Sequence, residues 1–61
     1  MTTNQPKVIF FIGIGGIGMS ALARYYLALG CTVFGYDKTR SDLTDSLTRE
    51  GAVISYDDVW Q

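Results

Sequence analysis

Histidine is absent from this chain, and cysteine, proline and tryptophan occur once each. The lone Cys31 cannot form an internal disulfide, and without histidine the usual ligand set of a structural zinc site is missing. Neither common staple of a small domain is therefore available. A surplus of one charge is lacking too: five Lys and Arg stand against six Asp and Glu, and a net charge of -1 leaves no basic face for gripping a nucleic-acid backbone. The longest apolar run, residues 8–12, falls far short of the ~20 residues that span a bilayer. The first five residues, Met1 to Gln5, carry none of the positive charge that opens a signal peptide. A cytoplasmic location is the expectation, and an unpaired cysteine agrees with a reducing compartment.

What is present is a 61-residue chain that is 48% hydrophobic, enough for one small domain and no more. Chains of this size bury only about 60% of their unfolded surface, so they lean on partners or neighbouring structure. After a polar leader ending at Pro6, Lys7 to Ile12 is apolar on both alternating faces, the pattern of a strand covered on both sides of a parallel sheet. A glycine cluster follows. Met19 to Leu29 then sets Leu22, Tyr25, Tyr26 and Leu29 at helical spacing, with Gly30 as the stop, and predicts a first helix with that apolar face inward. Cys31 to Tyr36 reads as a second strand ending at Asp37. Ser41 or Asp42 is placed to cap a second helix that runs through Leu43 and Leu47 to Glu50 and stops at Gly51; Ala52 to Ser55 predicts a third strand.

The order β-α-β-α-β is that of the Rossmann-like, mononucleotide-binding half of a doubly wound α/β fold, with strand order 3-2-1. Both crossovers step the same way, so both helices fall on one face of the parallel sheet. One of Phe10 and Phe11 is then expected on a face with no cover. From this we expect residues 1–61 to be a partial N-terminal domain whose remaining strands and helices cover that face, with self-association as the other solution.

Gly13, Gly15 and Gly18 satisfy G-x-G-x-x-G directly after a strand and at the start of a helix, with Asp37 19 residues beyond the last glycine. In this setting Gly13 permits the tight turn, Gly15 admits a diphosphate to the backbone, Gly16 widens the gap, and Gly18 lets the helix sit close to the first strand. Free amides at the helix start and the helix dipole attract an anion. Ser20 is placed to add a hydroxyl hydrogen bond, and Asp37 to accept from a ribose hydroxyl or a base N–H. On this reading, Gly15→Val blocks the diphosphate path and leaves helix content intact. Glycines that merely shape a strand-to-helix turn are the bland alternative; strand, helix and acid together favour phosphate binding. Spacing alone does not choose among nicotinamide, flavin and UDP-sugar ligands.

The block Phe11-Ile12-Gly13-Ile14-Gly15-Gly16-Ile17-Gly18-Met19-Ser20-Ala21-Leu22-Ala23, with its doubled glycine and Met-Ser pair, resembles the start of the Mur ligases. The likeness continues through Leu29-Gly30, Asp37 and Glu50-Gly51-Ala52, and so covers nearly all of the chain after Pro6. It implies a cytoplasmic, ATP- and Mg2+-dependent enzyme of peptidoglycan-precursor synthesis or recycling. That enzyme would join L-alanine to UDP-N-acetylmuramate through an acyl phosphate. It further implies that Gly15, Gly16, Gly18, Met19 and Ser20 cradle the UDP diphosphate through their amides, with Gly13 in the turn and Asp37 near the uridine. Tyr36 stands where the family usually has a small residue. The ATP loop of the family, G-x-x-G-K-[ST], has no counterpart here, because neither Lys7 nor Lys38 follows a glycine. The chain alone is therefore expected to bind and not to catalyse.

Two rival readings remain at this level. An NAD-dependent oxidoreductase segment would use Asp37 on the adenosine ribose, with Lys38 and Arg40 inclining it toward NADP. A non-catalytic module would dimerise through the bare sheet face. Cys31 reads as a buried inert thiol. Of Tyr25 and Tyr26, at least one reads as a packing residue. Asp42, Asp45, Asp57 and Asp58 read as helix-capping and solvated carboxylates, and Trp60 as a packing residue near the chain end.

Overall fold

The structure, a computed structural model, describes residues 7–57. Asp58 and Trp60, discussed above, lie outside the described residues. The elements follow the expected order: β1 (Val8–Ile12), α1 (Ile17–Ala28), β2 (Thr32–Tyr36), α2 (Asp42–Arg49) and β3 (Val53–Ser55). All strands pair in parallel in the order β1-β2-β3, the expected 3-2-1 read from the other edge. The register aligns Phe10 with Phe34 and Phe34 with Val53, and it aligns Phe11 with Gly35 and Gly35 with Ile54.

Because side chains alternate along a strand, this register sorts the sheet into two faces. On the helix side, Phe11 and Val33 join Ile14, Ala23, Leu47 and Ala52 in one buried core, with Ile9, Tyr26, Leu27, Cys31 and Ile54 packed around it. On the opposite face Val8, Phe10, Ile12, Phe34 and Val53 remain exposed, and neither helix lies over them. Of the two adjacent phenylalanines, Phe11 is 6% exposed and Phe10 is 48% exposed. The helix-free face therefore exists, and it is Phe10 that lies on it. Phe11→Ala should cost about 3–5 kcal/mol, the usual loss for a buried aromatic ring. Phe10→Ala, at a position 48% exposed, should cost less. Urea denaturation of the two variants compares them, and equal midpoints would contradict this division of the faces.

The inward face of α1 differs from the expected one. Leu22, Tyr25 and Leu29 are exposed, and the helix buries Ser20 and Ala23, with Tyr26 and Leu27 half-buried beside them. Small residues let the helix axis approach the sheet, which a stripe of Leu and Tyr would hold away. Tyr26 is the packing tyrosine, with its ring centroid 6.3 Å from that of Phe11 and 5.2 Å from that of Tyr25. Cys31, expected to be buried, is half-buried against the core.

Ser41, not Asp42, caps α2. Its Oγ accepts from the Thr44 amide at 3.2 Å, while Thr44 Oγ1 accepts from the Ser41 amide at 2.9 Å, a reciprocal capping box. Asp45 in the first turn takes a hydrogen bond from Arg40 Nε at 2.8 Å. Gly51, at φ +118°, ends the helix in a conformation that disfavours any side chain. The two helices are tied at the surface by Arg24 and Glu50, whose paired hydrogen bonds of 2.8 and 3.1 Å hold the Glu50 carboxyl below its ordinary pKa. Both groups are open to solvent, so the pair fixes geometry more than it stabilises.

Candidate functional site

The β1–α1 loop hangs from the end of β2. Gly13 turns at φ +75°, a left-handed conformation natural to glycine, and its amide donates to the Tyr36 carbonyl at 2.8 Å. The Ile14 amide donates to the same oxygen at 3.1 Å, and the Ile14 side chain turns fully into the core. Next, the Gly15 amide donates to Asp37 Oδ2 at 2.7 Å, and the Gly16 amide closes the turn onto the Gly13 carbonyl at 3.0 Å. Each loop amide from Gly13 to Gly16 therefore has a partner within the chain.

Helix α1 begins at the next residue. Gly16 is its N-cap with no side-chain hydrogen bond, and the first turn carries no acidic residue. The first intrahelical bond runs from the Ser20 amide to the Gly16 carbonyl at 2.8 Å. Among the described residues, the amides of Ile17, Gly18 and Met19 have no hydrogen-bond acceptor. They are the orphan donors that every helix start presents, at the positive end of the dipole of a 12-residue helix. Ile17, Gly18 and Met19 are all exposed.

The candidate residues from the sequence thus gather around one loop, with different duties. Gly13 makes the turn. Gly15 is tied to Asp37, and a Cβ built on it would lie 2.8 Å from both Asp37 Oδ2 and Thr44 Cγ2, so the space beside it is filled by this chain's own side chains. A Cβ on Gly18 would meet nothing within 4 Å, so Gly18 is not what brings the helix close to β1; the buried Ser20 and Ala23 do that. Ser20 is 3% exposed and its hydroxyl donates to the Ile17 carbonyl at 2.9 Å, turned into its own helix and away from the loop mouth. Asp37 accepts through its second oxygen from the Thr39 amide at 3.0 Å. Tyr36 is half-buried and, by alternation along β2, on the face opposite Gly35 and the helices.

Two residues that matter here were not singled out from the sequence. Thr44, fully buried, walls the loop from α2 while holding the capping box. Gly35 opens the space into which Ile14 packs, with Ile14 Cδ1 2.5 Å from where a Gly35 Cβ would be. The available signal was a glycine inside a strand, which marks a close approach.

The sequence pattern of the Mur ligase family, catalytic domain, matches residues 8–58, most of the chain and all five elements of the fold. The chain belongs to the Mur ligase family. It is 59% identical over 58 residues to a UDP-N-acetylmuramate--L-alanine ligase of Parabacteroides distasonis, matching 95% of this chain and 13% of that protein. Proteins of the same name from Phocaeicola vulgatus and Flavobacterium psychrophilum are each 55% identical, with the same coverage of 95% and 13%. This Mur ligase chain therefore spans about one-eighth of the length of those relatives. No helix among the described residues is long and apolar enough to cross a membrane.

Proposed function

We propose that this chain is the N-terminal part of a cytoplasmic, ATP-dependent ligase that joins L-alanine to UDP-N-acetylmuramate in the making of peptidoglycan precursors. Its own share of that work is to hold the UDP diphosphate. The observation that carries the reading is the set of three unpartnered amides, Ile17, Gly18 and Met19, at the start of α1 in a chain so close in sequence to proteins of that name. A diphosphate there would accept from backbone donors and meet the positive end of the helix dipole without needing a lysine. Gly13, Gly15, Gly16 and Asp37 shape the loop behind those amides, and Ser20 supports the first turn from inside. The residues present do not fit ATP and Mg2+: there is no Gly-Lys-Ser/Thr triplet in the sequence, and no cluster of metal-ligating side chains among the described residues. Phosphoryl transfer belongs to other parts of the parent enzyme, and the chain by itself is expected to be inactive.

Titration of the isotopically labelled 61-residue chain with UDP-N-acetylmuramate, and separately with NAD, tests the reading by amide NMR. Shifts centred on Ile17, Gly18 and Met19 with the UDP sugar, and none with NAD, are the expected result. The reverse pattern would make the chain a segment of an oxidoreductase. A dimer in sedimentation velocity, with neither nucleotide moving those amides, would make it a self-associating module.

A further inference from the structure

Thr44 carries two branches on one stiff carbon, and each is committed to a different element. Its Oγ1 accepts from the Ser41 amide at 2.9 Å and donates to the Ser41 carbonyl at 3.0 Å. Its methyl, Cγ2, fills the space beside Gly15, 2.8 Å from where a Cβ on that glycine would lie. The residue has no exposure to solvent. With both hydrogen bonds made the hydroxyl fixes χ1, and in a β-branched residue that fixes the direction of the methyl as well. Residue type points the same way. At the third position of a helix a capping box ordinarily uses Glu or Gln, whose longer side chain reaches back to the cap. Here threonine closes the box with a shorter arm, and among the twenty side chains it alone adds a methyl to a hydroxyl-bearing carbon. Capping accounts for the hydroxyl and leaves the methyl on Gly15 to be explained. Gly15 directly precedes Gly16, the N-cap of α1, and the unpartnered amides of Ile17, Gly18 and Met19 follow at once.

We propose that Thr44 is a positioning residue for the diphosphate site: its hydroxyl caps α2, and its methyl sets where Gly15, and with it the first turn of α1, lies. This rests on the diphosphate reading above. Being fully buried, Thr44 acts through Gly15 and does not touch the ligand.

Two conservative variants of the 61-residue chain divide the side chain between its roles, with inorganic pyrophosphate as the probe. Thr44→Ser keeps the hydroxyl and removes the methyl. It should keep a urea transition close to that of the unmodified chain yet bind pyrophosphate about fivefold more weakly, the worth of one ordinary hydrogen bond out of line. Thr44→Val keeps the methyl and removes the hydroxyl. It should lower the urea midpoint by leaving the Ser41 amide unpaired, while its folded fraction binds pyrophosphate within about twofold of the unmodified chain. Unchanged affinity in Thr44→Ser overturns the proposal. So does a Thr44→Ser chain without a urea transition, since the methyl would then serve stability, and so does a folded Thr44→Val chain that loses as much affinity as Thr44→Ser. Amide NMR of the free chains gives a readout independent of binding: Thr44→Ser should shift the resonances of Ile17, Gly18 and Met19. If the unmodified chain does not bind pyrophosphate, the diphosphate reading fails and Thr44 is judged on those resonances alone. Shifts there would retain its hold on the first turn of α1, and their absence would overturn it.

Discussion

Replacing Gly35 with Val should abolish the cooperative unfolding transition of this chain. A Cβ at position 35 would lie 2.5, 2.9 and 3.0 Å from the Cδ1, Cβ and Cγ2 atoms of Ile14, a residue with no exposure to solvent. The atoms in the way include the branch point of Ile14, which no change of rotamer can move. Its backbone is not free to withdraw either, because the Ile14 amide is bound to the Tyr36 carbonyl, next along the chain from Gly35. Overpacking a core costs about 1–3 kcal/mol per insertion, and a branched side chain adds to that. At ~0.05–0.15 kcal/mol per residue, a chain of this length has only about 3–9 kcal/mol in total, and one exposed apolar sheet face leaves it toward the lower end. Circular dichroism in a urea series measures the effect. Gly35→Ala should retain a transition at lower urea, and Ile14→Ala in the same chain should recover part of the loss, since residues in contact are not additive. An unchanged midpoint for Gly35→Ala would show that Ile14 does not pack over β2 as described.

Gly15→Val should remove stability and nucleotide binding together. The added Cβ would stand 2.8 Å from Asp37 Oδ2, 2.8 Å from Thr44 Cγ2 and 3.3 Å from Asp37 Cγ. Relief would require moving Asp37, which breaks the hydrogen bond to the Gly15 amide, and moving Thr44, which disturbs the capping box of α2. The combined cost is about 2–4 kcal/mol, one overpacking and one disturbed cap. The expectation from sequence was a loss of binding with little loss of helix content; the contacts around Gly15 add a loss of stability to it. Adding Thr44→Ser, which deletes the obstructing methyl and keeps the capping hydroxyl, should restore part of the melting midpoint. A Gly15→Val chain that melts like the unmodified one yet fails to bind UDP would return Gly15 to the role of admitting the ligand.

Both predictions turn on close contacts between residues far apart in the chain, and this separates what pattern can reveal from what it cannot. The glycine motif was legible because its features are local: a strand, a turn at Gly13 with positive φ, and a helix start follow one another within a few residues. The stop signals at Gly30 and Gly51 were legible for the same reason, both glycines having φ in the left-handed half of the map. The inward face of α1 was not legible. Apolar spacing selected Leu22, Tyr25 and Leu29, whereas burial selected Ser20 and Ala23, because the distance between helix and sheet is a property of the pair and not of the helix. Likewise, the roles of Gly18 and Ser20 changed once their surroundings were known: one meets nothing, and the other bonds back to its own helix.

The sequence by itself determined the order of elements, the parallel sheet with both helices on one face, and the family. Those follow from periodicity, from glycine and capping chemistry, and from the handedness of crossovers, all of which act over short stretches of chain. Only the tertiary structure decided that Phe11 and not Phe10 enters the core, that Gly15 faces Asp37 and Thr44, and that the amides left over are those of Ile17, Gly18 and Met19. Each of these depends on which side chains meet across β1, β2 and α2, and a donor is known to be free only when every acceptor within reach has been placed.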